Sequence, residues 1–144
     1  MIRLVVAVAA LLAASQARAD QVNICEQTVE YKPTGTPSPE INGVWEGTED
    51  YTSRYKMCRA FVIEGLDDKG RILAKQAWNN SNGPNSDIRG MAYIGKGSVV
   101  ITKQSDGTYT IGKYFKLRLE GNKLVGKFHN DRDNGDHDLV LFKR

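Results

Sequence analysis

The sequence predicts an all-β fold: one small antiparallel up-and-down barrel of eight or nine strands, an N-terminal extended arm tied on by a disulfide, and no helices in the mature chain. Three observations lead there. From Gly43 onward no stretch keeps a helical apolar period, whereas short alternating or β-branched runs recur between Gly, Asp and Asn turn signals. Two of those turns fix a strand register that leaves one face apolar. The chain also opens on an export signal and carries only two cysteines, the pattern of a secreted domain stapled once.

The first segment reads Met1-Ile2-Arg3, an apolar run from Leu4 to Ala14, and the small-residue site Ala17-Arg18-Ala19 before Asp20. These are the three regions of a secretory signal, so residues 1–19 are expected to be cleaved and the protein to be secreted or periplasmic. The run is 11 residues long. A membrane span needs roughly 20, so no membrane insertion is expected. Removal of Arg3 and Arg18 lowers the formal charge from +3 to +1, which weakens any case for capture of nucleic acid or acidic lipid. With 26% charged and 40% apolar residues, and 4 Pro against 14 Gly, collagen-like, low-complexity and wholly disordered chains are excluded.

Residues 20–40 form the arm and a linker. Lys32 to Glu40 holds three of the four prolines, which favours an extended connection. Cys25 and Cys58, 33 residues apart, are too distant in sequence for a C-x-x-C redox pair and are expected to form one structural disulfide. By the chain-entropy argument such a loop contributes roughly 3–4 kcal/mol.

The barrel is expected over 41–144, with strands near 44–52, 57–65, 71–79, 88–94, 97–104, 108–114, 114–120, 123–130 and 138–143. Around a Gly121-Asn122 loop, Glu120 faces Lys123, Leu119 faces Leu124, Leu117 faces Gly126 and Phe115 faces Phe128. Lys116, Arg118, Lys123 and Lys127 then share the other face, with His129 beside them. A three-residue loop at Ser105-Asp106-Gly107, with Gly107 left-handed, sets Ile101 opposite Ile111 and Thr102 opposite Thr110. Asp67-Asp68-Lys69-Gly70 and Asp133-Asn134-Gly135 mark two more turns. Short sequential connections favour closure into a barrel, which is either filled by its own side chains or holds one small ligand.

Gly43-Val44-Trp45 opens the first barrel strand, and Gly-x-Trp at that place is similar to lipocalins and, more loosely, avidins, a calycin-like resemblance covering Gly43 to Arg144. It implies that Trp45 plugs one barrel end, with Arg144 as the basic residue stacked on it. Ala77-Trp78-Asn79-Asn80 followed by Arg89-Gly90 resembles a pattern in secreted bacterial β domains of the same general shape. The chain departs from lipocalins in ending on a strand with no helix after it.

Candidate ligand-binding residues are Trp78, Asn79, Asn80, Arg89 and Tyr93, around the irregular segment Asn79 to Ser86, which reads either as a lid over a pocket or as an ordinary surface loop. Tyr51, Tyr55, Tyr93, Tyr109 and Tyr114 offer amphipathic surface, or simply strand-forming rings. Glu46, Glu49 and Asp50 offer paired carboxylates of the kind glycoside cleavage uses, but such a Glu-rich strand edge reads first as solvated surface. The tract His129 to Asp138 is dense in metal-type ligands, but its acidic spacing fails the calcium-loop pattern and it lacks a third soft ligand, so a polar hairpin tip is expected and no metal. No catalytic elbow, phosphate loop or dinucleotide fingerprint occurs. No cofactor and no catalytic residue are expected, and the absence of a basic stripe with stacking aromatics argues against nucleic acid.

Three functional classes fit these features. The first is an exported non-catalytic barrel that binds a small apolar or aromatic ligand at the Trp78 end. The second is a protein-binding module, such as an inhibitor of an exported or envelope hydrolase; the chain resembles bacterial protease-inhibitor barrels in size, early Trp and following Cys, and the arm would then contact the partner. The third is a hydrolase with an unrecognised site. Oligomeric state is left open by the sequence.

Overall fold

The computed structural model describes residues 19–50, 56–80 and 93–144. The segment expected to be an export signal therefore lies, but for Ala19, outside the described residues, as do Arg89, Tyr51, Tyr55, residues 81–86 of the irregular segment and most of the strand expected over 88–94.

Ten strands and no helix make up the described chain. β1 (Asp20–Ile24) and β2 (Gln27–Tyr31) pair as a hairpin. The other eight are β3 (Gly43–Asp50), β4 (Lys56–Leu66), β5 (Ile72–Asn79), β6 (Ile94–Lys103), β7 (Tyr109–Ile111), β8 (Phe115–Glu120), β9 (Lys123–Asn130) and β10 (Gly135–Lys143). They form a closed antiparallel barrel in the order β10-β3-β4-β5-β6-β7-β8-β9, so every neighbour is also the next strand in sequence except at the β3–β10 seam. The β8–β9 register is the expected one, from Glu120 opposite Lys123 to Phe115 opposite Phe128. At the other readable turn Thr102 faces Thr110, and Gly107 has φ 86°.

The arm differs from the expected extended segment. Its two strands are joined by Cys25 and Glu26, both left-handed at φ 47° and 59°, a turn that normally selects Asn-Gly and therefore gives no signal here. The hairpin lies on the outer wall, where Ile24 and Val29 pack with Ala60, Val62 and Ala77 in a second apolar cluster. This explains the unbroken apolar stretch Ala60-Phe61-Val62-Ile63 of β4. Its inner face (Phe61, Ile63) meets the barrel core while its outer face (Ala60, Val62) meets the hairpin, so both are buried. The Cys25–Cys58 disulfide is formed, with Cα atoms 5.6 Å apart, joining the hairpin turn to β4. Such a bridge fits an oxidising compartment. Among the described residues no helix is long and apolar enough to cross a membrane.

One barrel end is closed. Trp45 is fully buried and donates its indole N–H to the carbonyl of Ile41 at 2.8 Å. The basic group over its ring is Lys143, with Nζ 5.8 Å from the centroid, and not Arg144, which donates to the carbonyl of Asn23 instead. Lys143 lies opposite Trp45 in the ladder, and cross-strand partners share a face. Gly43, at φ 115°, starts this strand in a conformation that disfavours a side chain. Tyr109, read as either amphipathic surface or a strand-forming ring, is a buried strand residue at the same end, where its hydroxyl donates to Glu40; Lys103 Nζ reaches the same carboxylate at 2.7 Å. Burial and this acceptor hold the phenol well above its ordinary range. Above the plug the lumen is filled by Phe61, Ile63, Ile72, Ile101, Leu117, Leu124 and Leu141.

Candidate functional site

The opposite end of the barrel is polar inside. Alternation along β3 from the inward-facing Trp45 puts Gly47 and Glu49 on the same face, and Glu49 has no solvent exposure. Expected on a solvated edge, it is instead one of the most buried side chains of the protein, because β3 is an interior strand of a closed barrel and has no edge. On the inward face of β4, Met57 is followed two residues later by Arg59, 7% exposed. Arg59 Nε donates to Glu49 Oε2 at 2.8 Å, one terminal nitrogen to Oε1 at 3.4 Å and the other to Gln76 Oε1 at 3.1 Å.

Three aromatic rings surround that guanidinium. Its central carbon lies 4.9 Å from the Phe115 centroid, 5.2 Å from Trp78 and 5.7 Å from Phe128. Trp78 can occupy this position because Gly95 faces it across the ladder: a Cβ on Gly95 would sit 2.2 Å from the indole. Removing an Arg and a Glu from water costs several kcal/mol each, offset here by mutual attraction, the rings and the amide of Gln76. Burial pushes the Glu49 carboxyl above its ordinary range even against the pull of Arg59 and a smaller one from His137. His137 Nε2 in turn meets Asp133 at 2.6 Å.

Not every hydrogen-bonding group in this layer is used. An arginine has five N–H groups, and the three bonds above leave two of Arg59's without an acceptor among the described residues. Asn80, just past the end of β5, is 3% exposed. Its backbone N–H donates to the carbonyl of Tyr93 at 3.1 Å and its Oδ1 accepts from the Tyr93 N–H at 2.7 Å, while its Nδ2 is buried with no hydrogen bond among the described residues. Tyr93 carries Arg132 over its ring at 4.4 Å.

Of the residues singled out in the sequence, Trp78 is set in the polar inner layer, and the backbone of Asn80 joins that of Tyr93 where β5 ends and β6 begins. Asn79 points to the outer wall, where its Nδ2 donates to the carbonyl of Cys25 at 3.0 Å and helps hold the hairpin. Arg59 and Gln76 were missed, while Glu49 was expected on a solvated strand edge and His137 in a polar hairpin tip. Alternation from Trp45 could have found Glu49. Arg59 had no such signal, because the sequence around it reads as a strand buried on both faces. The His129–Asp138 tract resolves into pairs, His129 with Asp136 at 2.8 Å and His137 with Asp133. The inner apolar face of the arm is spent on the barrel wall. Compared with family models, curated proteins and solved structures, the chain returns no significant match.

Proposed function

We propose that the protein is an exported, non-catalytic binding barrel that takes a small, flat apolar or aromatic molecule at its Trp78 end. The observation that carries this reading is the buried Glu49–Arg59 pair with its ring of Trp78, Phe115 and Phe128 and its unused donors. A barrel that needed only to fold would gain as much from aliphatic side chains there, as it does around Trp45. Perturbed, incompletely satisfied polar groups beside aromatic faces are what a recognition site requires. Because Arg59 is already neutralised by Glu49, its spare N–H groups suit a neutral acceptor, such as a carbonyl or ring nitrogen on the ligand, better than a second carboxylate.

The filled lumen beneath Phe61 limits this ligand to the mouth, so it is expected to be smaller than the occupants of a deep calyx. Binding of the neutral fluorophore N-phenylnaphthylamine, and its displacement by aromatic amides such as benzamide and nicotinamide, tests the proposal through quenching of Trp78. The double substitution Glu49→Leu with Arg59→Met should keep the fold and abolish binding. Equal binding by that variant would refute the site.

A further inference from the structure

A cleft of about 540 Å³ lies outside the barrel beside the disulfide and is bounded by Cys25, Cys58, Glu46, Lys56, Met57 and Asn79. Among the described residues, Cys25, Cys58 and Glu46 are the one set of soft and acidic groups that converges: both sulfurs and a carboxylate oxygen lie within 4.8 Å of one another. The hairpin that carries Cys25 is held to the barrel by contacts besides the bridge. Besides the apolar contacts of Ile24 and Val29, the Cys25 N–H donates to Glu46 Oε2 at 2.7 Å, and Gln27 Nε2 reaches the carbonyls of Trp78 and Gly95, both at 3.0 Å. Lys96 Nζ donates to the carbonyl of Thr28 at 2.8 Å, and Arg144 to that of Asn23 at 2.6 Å. Breaking the disulfide therefore leaves the two sulfurs and the carboxylate facing one cleft.

We infer that the reduced protein binds a thiophilic divalent cation, of which zinc is the type, between the thiolates of Cys25 and Cys58 and the carboxylate of Glu46, with the fourth position open to the cleft. Two thiolates and one carboxylate fit a tetrahedral site with metal–sulfur distances of about 2.3 Å and an exchangeable ligand. The reductant is a thiol. Its thiolate attacks one sulfur to give a mixed disulfide and release the other cysteine; a second thiol then closes on the first as an external disulfide, leaving Cys25 and Cys58 as free thiols. Metal binding displaces their two protons. Glu46 must exchange part of its present contact with Arg144 Nη1, 3.6 Å away, for the ion. The site is separate from the barrel mouth, and neither inference depends on the other.

The test uses Co²⁺ as the probe metal and the full protein reduced by a phosphine and desalted without oxygen. Reduced protein should give thiolate-to-cobalt charge-transfer absorption at one ion per chain, displaced by Zn²⁺, while the disulfide form gives none. Glu46→Gln should weaken binding by about tenfold or more, and Cys58→Ser should remove the absorption. Far-UV circular dichroism and protease resistance of the arm follow docking on reduction. A docked hairpin without cobalt absorption overturns the inference, as does release of the hairpin or an unchanged affinity in Glu46→Gln.

Discussion

Glu49 and Arg59 are bound to opposite outcomes depending on whether one or both are replaced. Glu49→Ala leaves a guanidinium buried without its counter-charge and is expected to cost about 3–5 kcal/mol in urea denaturation. Glu49→Leu with Arg59→Met should instead be neutral or stabilising, by up to about 4 kcal/mol, because two desolvation penalties disappear together. The carboxyl also leaves a mark on pH dependence. Its native pKa stands above the ordinary 4.5, so the folded state holds a proton that the unfolded chain releases. The associated stability is full below about pH 4.5 and is lost as pH rises through the native value. The half-buried Asp67 and the exposed Asp106, Asp131 and Asp138, all held low by hydrogen bonds, act with the opposite sign and lose their contribution as pH falls. Subtracting the urea midpoints of Glu49→Gln from those of the parent across pH isolates the first effect: the parent should lose ground steadily above about pH 4.5. A flat difference would contradict it. At this scale the sequence was least legible, since an acidic residue among other acidic residues reads as solvated until the neighbouring strands are known.

Strand register was far more legible, because alternation and turn length act over a few residues. The β8–β9 hairpin follows from Gly121-Asn122, whose geometry admits one pairing that keeps Phe115, Leu117, Leu119, Leu124 and Phe128 together. The β1–β2 hairpin escaped notice because its turn uses Cys25 and Glu26 in a left-handed backbone that neither residue favours. Two glycines whose role is also invisible in the sequence are Gly47 and Gly126. A Cβ on Gly47 would stand 2.0 Å from the carbonyl oxygen of Val140, and one on Gly126 1.9 Å from that of Lys116. Both face inward, on the strands flanking β10, where the sheet coils tightly enough to bring neighbouring backbone over the Cα. Gly126→Ala is expected to destabilise by about 1–3 kcal/mol through backbone displacement, measurable as a lower urea midpoint. Gly95→Ala should move the Trp78 indole, read as a shift in its fluorescence maximum, because a methyl group there would overlap the ring.

Taken whole, the molecule is a closed ring of strands with a hairpin fastened to its outside. The disulfide joins hairpin to wall but does not cross the β3–β10 seam, so its reduction should lower stability without opening the barrel. The expected loss is roughly 3–4 kcal/mol from the unfolded chain's regained freedom. It should show as a lower urea midpoint with an unchanged native far-UV spectrum; loss of the β spectrum on reduction would mean that the hairpin contacts are weaker than described. The seam has a kinetic consequence. Seven of the eight ladders zip between consecutive strands, but Trp45 must find Lys143 across nearly the whole barrel sequence. Loop closure makes that last pairing the slow step, and until it forms both margins of the meander remain open to other chains. Refolding yield should therefore fall with protein concentration far more steeply than the equilibrium stability of the finished ring would suggest.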